Sequence, residues 1–136
     1  MTTSPTPLPD LAARVDEISS RVVDRRRYLH ERPELSYRES ETSAFIVAEL
    51  ERIGGFAEIS RPTPTSVVAD LRGGRPGPRI AVRSDHDALP IEEATGLPFA
   101  SKNPGVMHAC GHDGHTAMLL AAARCLAERE RFSGTL

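Results

Sequence analysis

The stretch GVMHACGHDGHTA, residues 105–117, holds three of the five histidines and one of the two cysteines of this chain. Imidazole nitrogens and thiolate sulfurs are the ligands that zinc and similar transition metals prefer. His108, Cys110 and His112 alternate along the sequence, and alternate side chains of an extended segment point to the same face. The pattern predicts that these three side chains can face one metal ion.

The same stretch indicates a turn that leads into a helix. Gly111 and Gly114 permit a tight backbone turn beside a metal. Asp113 or Thr116 is expected to cap the helix that follows, or the Asp113 carboxylate accepts a proton from a ligating imidazole. No C-x-x-C pair accompanies the cluster, so the sequence favours an open catalytic site over a closed zinc finger.

A second candidate stretch is RSDHDALPI, residues 83–91, which follows the apolar run Ile80–Val82. The run predicts a buried strand, and ligands in α/β proteins bind where strands end. Asp85 and Asp87 are candidate functional residues, although aspartates at such a place also form simple turns. His86 either adds a ligand or fills space; strand-like alternation turns it away from both aspartates and favours the second interpretation.

Both stretches, with the upstream segments RYLH (27–30) and PELS (33–36), resemble the M20 family of metal-dependent amidohydrolases. The similarity is to the branch of hippurate hydrolases, N-acyl-amino-acid hydrolases and auxin-conjugate hydrolases. It implies hydrolysis of the amide bond of a small N-acyl amino acid substrate, with two divalent ions (Mn, Zn or Co) in the complete site. It also implies that Cys110 and His112 are metal ligands and that Asp87 is catalytic, as an orienting carboxylate beside the metals.

The resemblance further implies an α/β fold, the N-terminal part of a three-layer αβα catalytic domain with a mixed sheet. Residues 10–136 would form this part after a flexible arm, residues 1–9, and no dimerisation domain is expected among them. In the family a Gln-Pro-Ala-Glu-Glu stretch with the general base follows beyond the point that Leu136 matches. Further ligands would then come from elsewhere, and the candidate substitutes, of unknown geometry, are Asp85, Asp87, His108 and His115.

A second hypothesis is a non-catalytic metal-binding or interaction module. An incomplete sheet would expose an unpaired edge and apolar helix faces, which favours self-association or pairing with the complementary C-terminal portion.

The composition excludes several classes of function. With 17 basic and 19 acidic residues and a net charge of −2, no basic surface favours nucleic acid or an anionic membrane. Cys110 and Cys125 do not make a disulfide framework. Residues 1–9 lack the apolar core of a signal peptide, and no apolar run of about 18 residues offers a membrane span. We expect a cytoplasmic protein.

Periodicity predicts three helices. The first follows an N-cap at Asp10 and ends near Glu31, ahead of a proline. The second begins at a capping box formed by Ser36 and Glu39 and ends at a Gly-Gly pair. The third is rich in Ala and Leu and follows His115.

Strands are expected at residues 56–59, 67–71 and 80–83. The glycine- and proline-rich segment 72–78 has the composition of a turn, so the last two strands are predicted to form an antiparallel hairpin. Elsewhere, Arg25–Arg27 are expected on a solvated face, Glu92 and Glu93 in an exposed loop, and Cys125 buried as a small hydrophobe.

Overall fold

The structure is a computed structural model that describes residues 8–128 and 132–136. It contains helices and short strands, which confirms the predicted α/β class. Residues 1–7 of the predicted arm lie outside the described residues. The elements in chain order are α1 (Leu8–His30), α2 (Ser40–Ile53), β1 (Glu58–Ser60), β2 (Val68–Asp70), β3 (Arg75–Arg79), α3 (His112–Ala127) and β4 (Ser133–Thr135).

Helix α1 packs against α3. It begins at Leu8, two residues before the predicted cap at Asp10, and ends at His30 ahead of Pro33. Its buried face places Ile18 against Ala121 and Cys125 of α3, a contact that stabilises both helices because it removes apolar surface from water. The predicted burial of Cys125 is confirmed.

Helix α1 also contacts α2 through an ion pair that the sequence did not predict. The Arg25 guanidinium donates through Nε to Glu49 Oε2 at 2.6 Å, and the two side chains are only 11% and 5% exposed. The Tyr28 and Phe45 rings stack beside it with centroids 4.6 Å apart. The expected solvated face is therefore wrong for Arg25, because its partner on α2 is distant in sequence.

The N-terminus of α2 is stabilised by Glu34 and not by the predicted capping box of Ser36 and Glu39. Glu39 precedes the helix, but its side chain makes no capping hydrogen bond. Instead, the Glu34 carboxylate accepts hydrogen bonds from the backbone N–H of Glu41 at 3.1 Å and of Thr42 at 2.7 Å. A carboxylate at this place satisfies free N–H groups and also interacts favourably with the helix dipole.

The strands pair differently from the prediction. Strand β2 pairs antiparallel with β1, and β3 pairs parallel with β4, so the described strands form two two-stranded sheets. The predicted hairpin is wrong because β3 begins within the segment 72–78, which the sequence predicts as the turn. Arg75 and Gly77 each precede a proline, which disfavours the helical region and keeps the backbone extended.

The run Ile80–Val82 lies outside the strands, and the predicted burial is wrong for it. Ile80 and Val82 are both 57% exposed. A short apolar run fits a buried or an exposed extended segment equally well, since its burial depends on what covers it. Among the described helices, none is long and apolar enough to cross a membrane.

Removal of the Glu34 carboxylate should destabilise the protein. We expect Glu34→Ala to lower the free energy of unfolding by about 1 kcal/mol, because two N–H groups of α2 lose their acceptor. Urea unfolding followed by circular dichroism measures the change. Glu51→Ala, on the exposed face of the same helix, is the matched control, and equal stability of the two variants would contradict the capping role.

Candidate functional site

The two candidate stretches meet at a short backbone bridge. Leu89 and Met107 exchange two hydrogen bonds, N to O in each direction at 3.0 Å. The segment that carries the aspartates is also fixed on its other side, where the Ala88 N–H donates to the Glu34 carbonyl at 2.8 Å. These contacts hold the Asp85–Asp87 segment beside the start of α3.

His112, the first residue of α3, is oriented by Asp87. Its Nδ1 lies 2.9 Å from Asp87 Oδ1 and 3.0 Å from the Asp87 carbonyl oxygen. Both oxygens are acceptors, so Nδ1 carries the proton and donates it, and the lone pair lies on Nε2. This is the arrangement by which proteins orient an imidazole that binds a metal.

Asp85 lies between His112 and His115. Its Oδ1 is 2.8 Å from His115 Nδ1, and its Oδ2 is 3.6 Å from His112 Nε2. One ligand atom from each of the three residues lies within 4.8 Å of the others. The hydrogen bond from His115, followed by weaker effects of the backbone and His112, holds the pKa of Asp85 below its ordinary value. An ionised carboxylate and two imidazoles form a suitable donor set for a divalent transition metal.

The predicted common face of His108, Cys110 and His112 is wrong. His108 is 4% exposed, whereas Cys110 is exposed. The segment is a turn, with the Gly111 N–H donating to the His108 carbonyl at 3.2 Å, and the two-residue period applies only to extended backbone. Gly111, with a φ of 79°, is the N-cap of α3. Asp113 and Thr116 lie inside the helix, so the prediction that one of them caps it is wrong.

His108 is buried with neither ring nitrogen hydrogen-bonded to any residue that the structure describes. Burial disfavours the charged imidazolium and lowers the pKa of His108, while the nearby Asp113 carboxylate opposes this shift. A neutral ring is the expected form, since an uncompensated charge at such a place is costly.

Asp113 connects the start of α3 with α1. Its Oδ2 lies 2.8 Å from His30 Nδ1 and accepts a hydrogen bond from Arg26 Nε at 3.2 Å. The Asp113 side chain is fully buried. The carboxylate therefore contacts α1 and not a ligating imidazole, which settles the alternative that the sequence left open. Because Asp113 follows His112 directly, this contact fixes the position of the first turn of α3.

Glu93 completes this buried group, and the expectation that it is exposed is wrong. Its side chain is 3% exposed, and its Oε1 lies 3.3 Å from His30 Nε2. Burial raises the pKa of Glu93, but hydrogen bonds from Thr95, the Ser101 N–H and His30 outweigh it, so the pKa lies below its ordinary value. No hydrophobic periodicity in the sequence distinguishes Glu93 from its neighbours. The only sequence signal was that its loop directly follows the stretch 83–91.

His86, the remaining candidate of the second stretch, contacts a backbone carbonyl. His86 lies 3.1 Å through Nε2 from the Thr65 carbonyl, away from the neighbouring aspartates, in agreement with the favoured interpretation. Asp85, Asp87 and His112 line an open groove of about 920 Å³. Its lining also includes the apolar residues Ile46, Leu50, Val82, Leu119 and Leu120, together with charged residues such as Glu39 and Arg79.

Part of the chain matches the model of a known protein family. Residues 81–136 match the model of peptidase family M20/M25/M40. This stretch is therefore similar to the M20 family. The resemblance seen in the sequence is confirmed.

Curated relatives are similar to most of the chain. The N-acyl-L-amino acid amidohydrolase of Geobacillus stearothermophilus is 54% identical over 114 residues, which cover 84% of this chain and 30% of the relative. Thermostable carboxypeptidase 1 of Saccharolobus solfataricus is 48% identical over 116 residues, 85% of this chain and 30% of that protein. The chain spans about a third of the length of the curated relatives that it matches.

A solved M20 structure shares the fold. It is a Bacillus subtilis protein described as a dinuclear metal-binding peptidase, with a TM-score of 0.83 and 46% sequence identity. The likeness covers 88% of this chain and 34% of that one. The described helices and strands thus correspond to part of an M20 α/β fold.

Loss of the Asp113 charge should weaken the contact between α1 and α3. We expect Asp113→Asn to lower the free energy of unfolding by about 3 kcal/mol, since a buried ionic group loses one member. Urea unfolding of metal-free protein measures this change without any contribution from bound ions. The control is Asp24→Asn, an exposed carboxylate on α1, and a variant as stable as this control would refute the proposed contact.

Proposed function

We propose that this chain carries part of the metal centre of a hydrolase that cleaves the amide bond of N-acylated amino acids. The observation that supports it most is the hydrogen bond of His112 to Asp87, which leaves His112 Nε2 free beside the Asp85 carboxylate. The names of the relatives support the substrate class, and the dinuclear neighbour supports two divalent ions in the complete centre.

The donor atoms fit such an ion. Two ligand atoms bound about 2.1 Å from one ion at a tetrahedral angle lie about 3.4 Å apart. His112 Nε2 and Asp85 Oδ2 are 3.6 Å apart. Imidazole nitrogen and carboxylate oxygen both suit Mn²⁺, Co²⁺ and Zn²⁺.

Cys110 and His112 are the proposed metal ligands, and Asp87 is a positioning residue for His112. A divalent ion at such a centre polarises the scissile carbonyl and makes water a nucleophile near neutral pH. Asp87 keeps the His112 ring in the tautomer that exposes Nε2. The exposed Cys110 thiol is accessible to an ion from the solvent side.

The reaction also needs a carboxylate that takes the proton of the attacking water and delivers it to the leaving amine. By the resemblance, we expect this general base in a Gln-Pro-Ala-Glu-Glu stretch, which these 136 residues do not contain. We therefore assign the activity to a polypeptide that supplies it. A reducing, cytoplasmic compartment is part of the proposal, because both cysteines are free thiols.

A chimera tests this proposal. The chain replaces the equivalent third of the Geobacillus stearothermophilus relative, and release of amino acid from N-acetyl and N-benzoyl substrates is measured with Mn²⁺, Co²⁺ or Zn²⁺. We expect hydrolysis that chelator removes and added metal restores. A folded chimera without metal-dependent hydrolysis of any of these amides would contradict the proposal.

Within the chimera, Asp87→Ala should reduce kcat/KM by about 10- to 100-fold, because His112 loses the acceptor that orients it. Asp87→Asn should recover part of the loss, since its amide oxygen still accepts the Nδ1 proton. The control is Asp24→Asn, an exposed carboxylate on α1. Equal rates for Asp87→Ala and this control would exclude the positioning role.

A second candidate function is association with another polypeptide. It is favoured by the exposed side chains of Ile80 and Val82, which border the apolar groove.

Sedimentation equilibrium tests the second candidate. We expect the wild-type chain to self-associate as its concentration rises, and Ile80→Lys to shift this association to higher concentration by placing a charge in the contact. Val15→Lys adds the same charge to an exposed position on α1 and serves as the control. A chain that stays monomeric throughout would rule this candidate out.

A further inference from the structure

We infer that the open groove is a docking site for an extended polypeptide segment that carries a basic side chain, and that the Glu39 carboxylate binds this side chain. The inference rests on the second candidate function, association with another polypeptide, and specifies the chemistry of that partner. Glu39 precedes α2 and takes no part in the proposed metal centre.

Glu39 is a buried carboxylate without a partner. The residue is 6% exposed, and its Oε2 atom is hydrogen-bonded to no residue that the structure describes. Its side chain does not cap α2, because the Glu34 carboxylate takes that role. A buried acceptor that stays unpaired is costly, and the cost is offset when a bound partner supplies the donor.

The charge that the partner needs follows from the carboxylates that line the groove. Besides Glu39 there are three, and each contacts a basic or imidazole group, in the pairs Asp70–Arg79, Asp85–His115 and Asp87–His112. Glu39 is therefore the carboxylate of this lining that is left for a partner's charge. Arginine suits it well, because a guanidinium is weakly hydrated and donates two parallel hydrogen bonds to a carboxylate.

Exposed apolar side chains gather at the same groove. Tyr37, Val68, Ile80 and Val82 all line it and are between 48% and 90% exposed. Tyr37 also has a φ of 66°, a left-handed conformation that is rare for an aromatic residue and that occurs mostly at functional sites. A contiguous exposed apolar surface of this kind is typical of a protein interaction site.

Unpaired backbone in the groove favours a polypeptide over a small molecule. Residues 81–84 line the groove, and their backbone N–H and C=O groups are hydrogen-bonded to the backbone of no residue that the structure describes. An added strand pairs with such groups through its own main chain and directs every second side chain to one face. The occupant should therefore carry apolar residues at alternate positions, with the basic residue in the same series.

Fluorescence anisotropy with a labelled peptide tests the inference. The probe is the heptapeptide RTVTVTR with blocked ends, in which the arginines and valines share one face of an extended chain. Its palindromic order presents an arginine to Glu39 in either chain direction. The matched peptide QTVTVTQ lacks the charge. We expect the wild-type chain, at a concentration where it is monomeric, to bind RTVTVTR about tenfold or more tightly than QTVTVTQ, by the usual strength of a charged hydrogen bond.

Glu39→Gln should abolish this preference, because the side chain keeps its shape and loses its charge. Its affinity for RTVTVTR should fall to the wild-type affinity for QTVTVTQ, and its affinity for QTVTVTQ should stay unchanged. Glu51→Gln, at an exposed carboxylate of α2, is the matched control and should keep the full preference. Measuring both peptides on both proteins isolates the pair between arginine and Glu39. The two peptides also differ on the wild-type chain alone, so the test does not depend on the folding of a variant.

Three results would overturn the inference: no binding of RTVTVTR by the wild-type chain, equal wild-type affinities for the two peptides, or the same preference in Glu39→Gln as in Glu51→Gln. Self-association in sedimentation equilibrium together with any of them would uphold the second candidate function, with a second copy of the chain as the occupant, and reject this partner. The hydrolase activity is measured separately with the chimera.

Discussion

The buried carboxylate of Asp113 is the contact on which the geometry of the site depends. It accepts hydrogen bonds from His30 and Arg26 of α1 and directly follows His112 in α3. Because both groups on α1 hold the same carboxylate, the first turn of α3 has one position relative to α1. The candidate ligands of that turn, His112 and His115, are thereby fixed before any ion arrives, which reduces the entropy that binding must overcome.

The segment that carries Asp85 and Asp87 is also held in place beside α3. The backbone bridge between Leu89 and Met107 and the hydrogen bond of Thr116 to Asp85 bring this segment to the same helix turn. Asp87 then orients His112, and Asp85 faces both histidines. Two segments that are distant in sequence thus meet in one group of side chains. In this group the Asp87 carboxylate pairs with His112, and the Asp85 carboxylate pairs with His115.

The sequence predicted those features that are local. The density of histidines and cysteine around His112 and the aspartates after Ile80–Val82 are properties of short segments, and so is the helical period of α1, α2 and α3. The fold class and the family were predicted through the resemblance to the M20 family that these motifs carry, and metal binding by Cys110 and His112 stays a prediction. The resemblance also implied that Asp87 is an orienting carboxylate, and its hydrogen bond to His112 supports that role.

The features that the sequence did not predict depend on distant partners. His30 and Asp113 are 83 residues apart, and no pattern in either segment indicates the other. The same holds for Arg25 with Glu49 and for Glu93 with His30. The predicted strand pairing was wrong for a related reason: a run with β-branched residues at 67–71 indicates a strand but does not specify its partner. The prediction that His108 and Cys110 share a face was wrong because this segment is a turn and not extended backbone.

The most direct test of the account is the tautomer of His112. Long-range ¹H–¹⁵N correlation spectra of the imidazoles, at a pH where the ring is neutral, distinguish a protonated Nδ1 from a protonated Nε2. The account predicts a protonated Nδ1 in the metal-free chain and a selective change at Nε2 when Zn²⁺ is added. A protonated Nε2, or an His112 resonance that Zn²⁺ leaves unchanged, would contradict it.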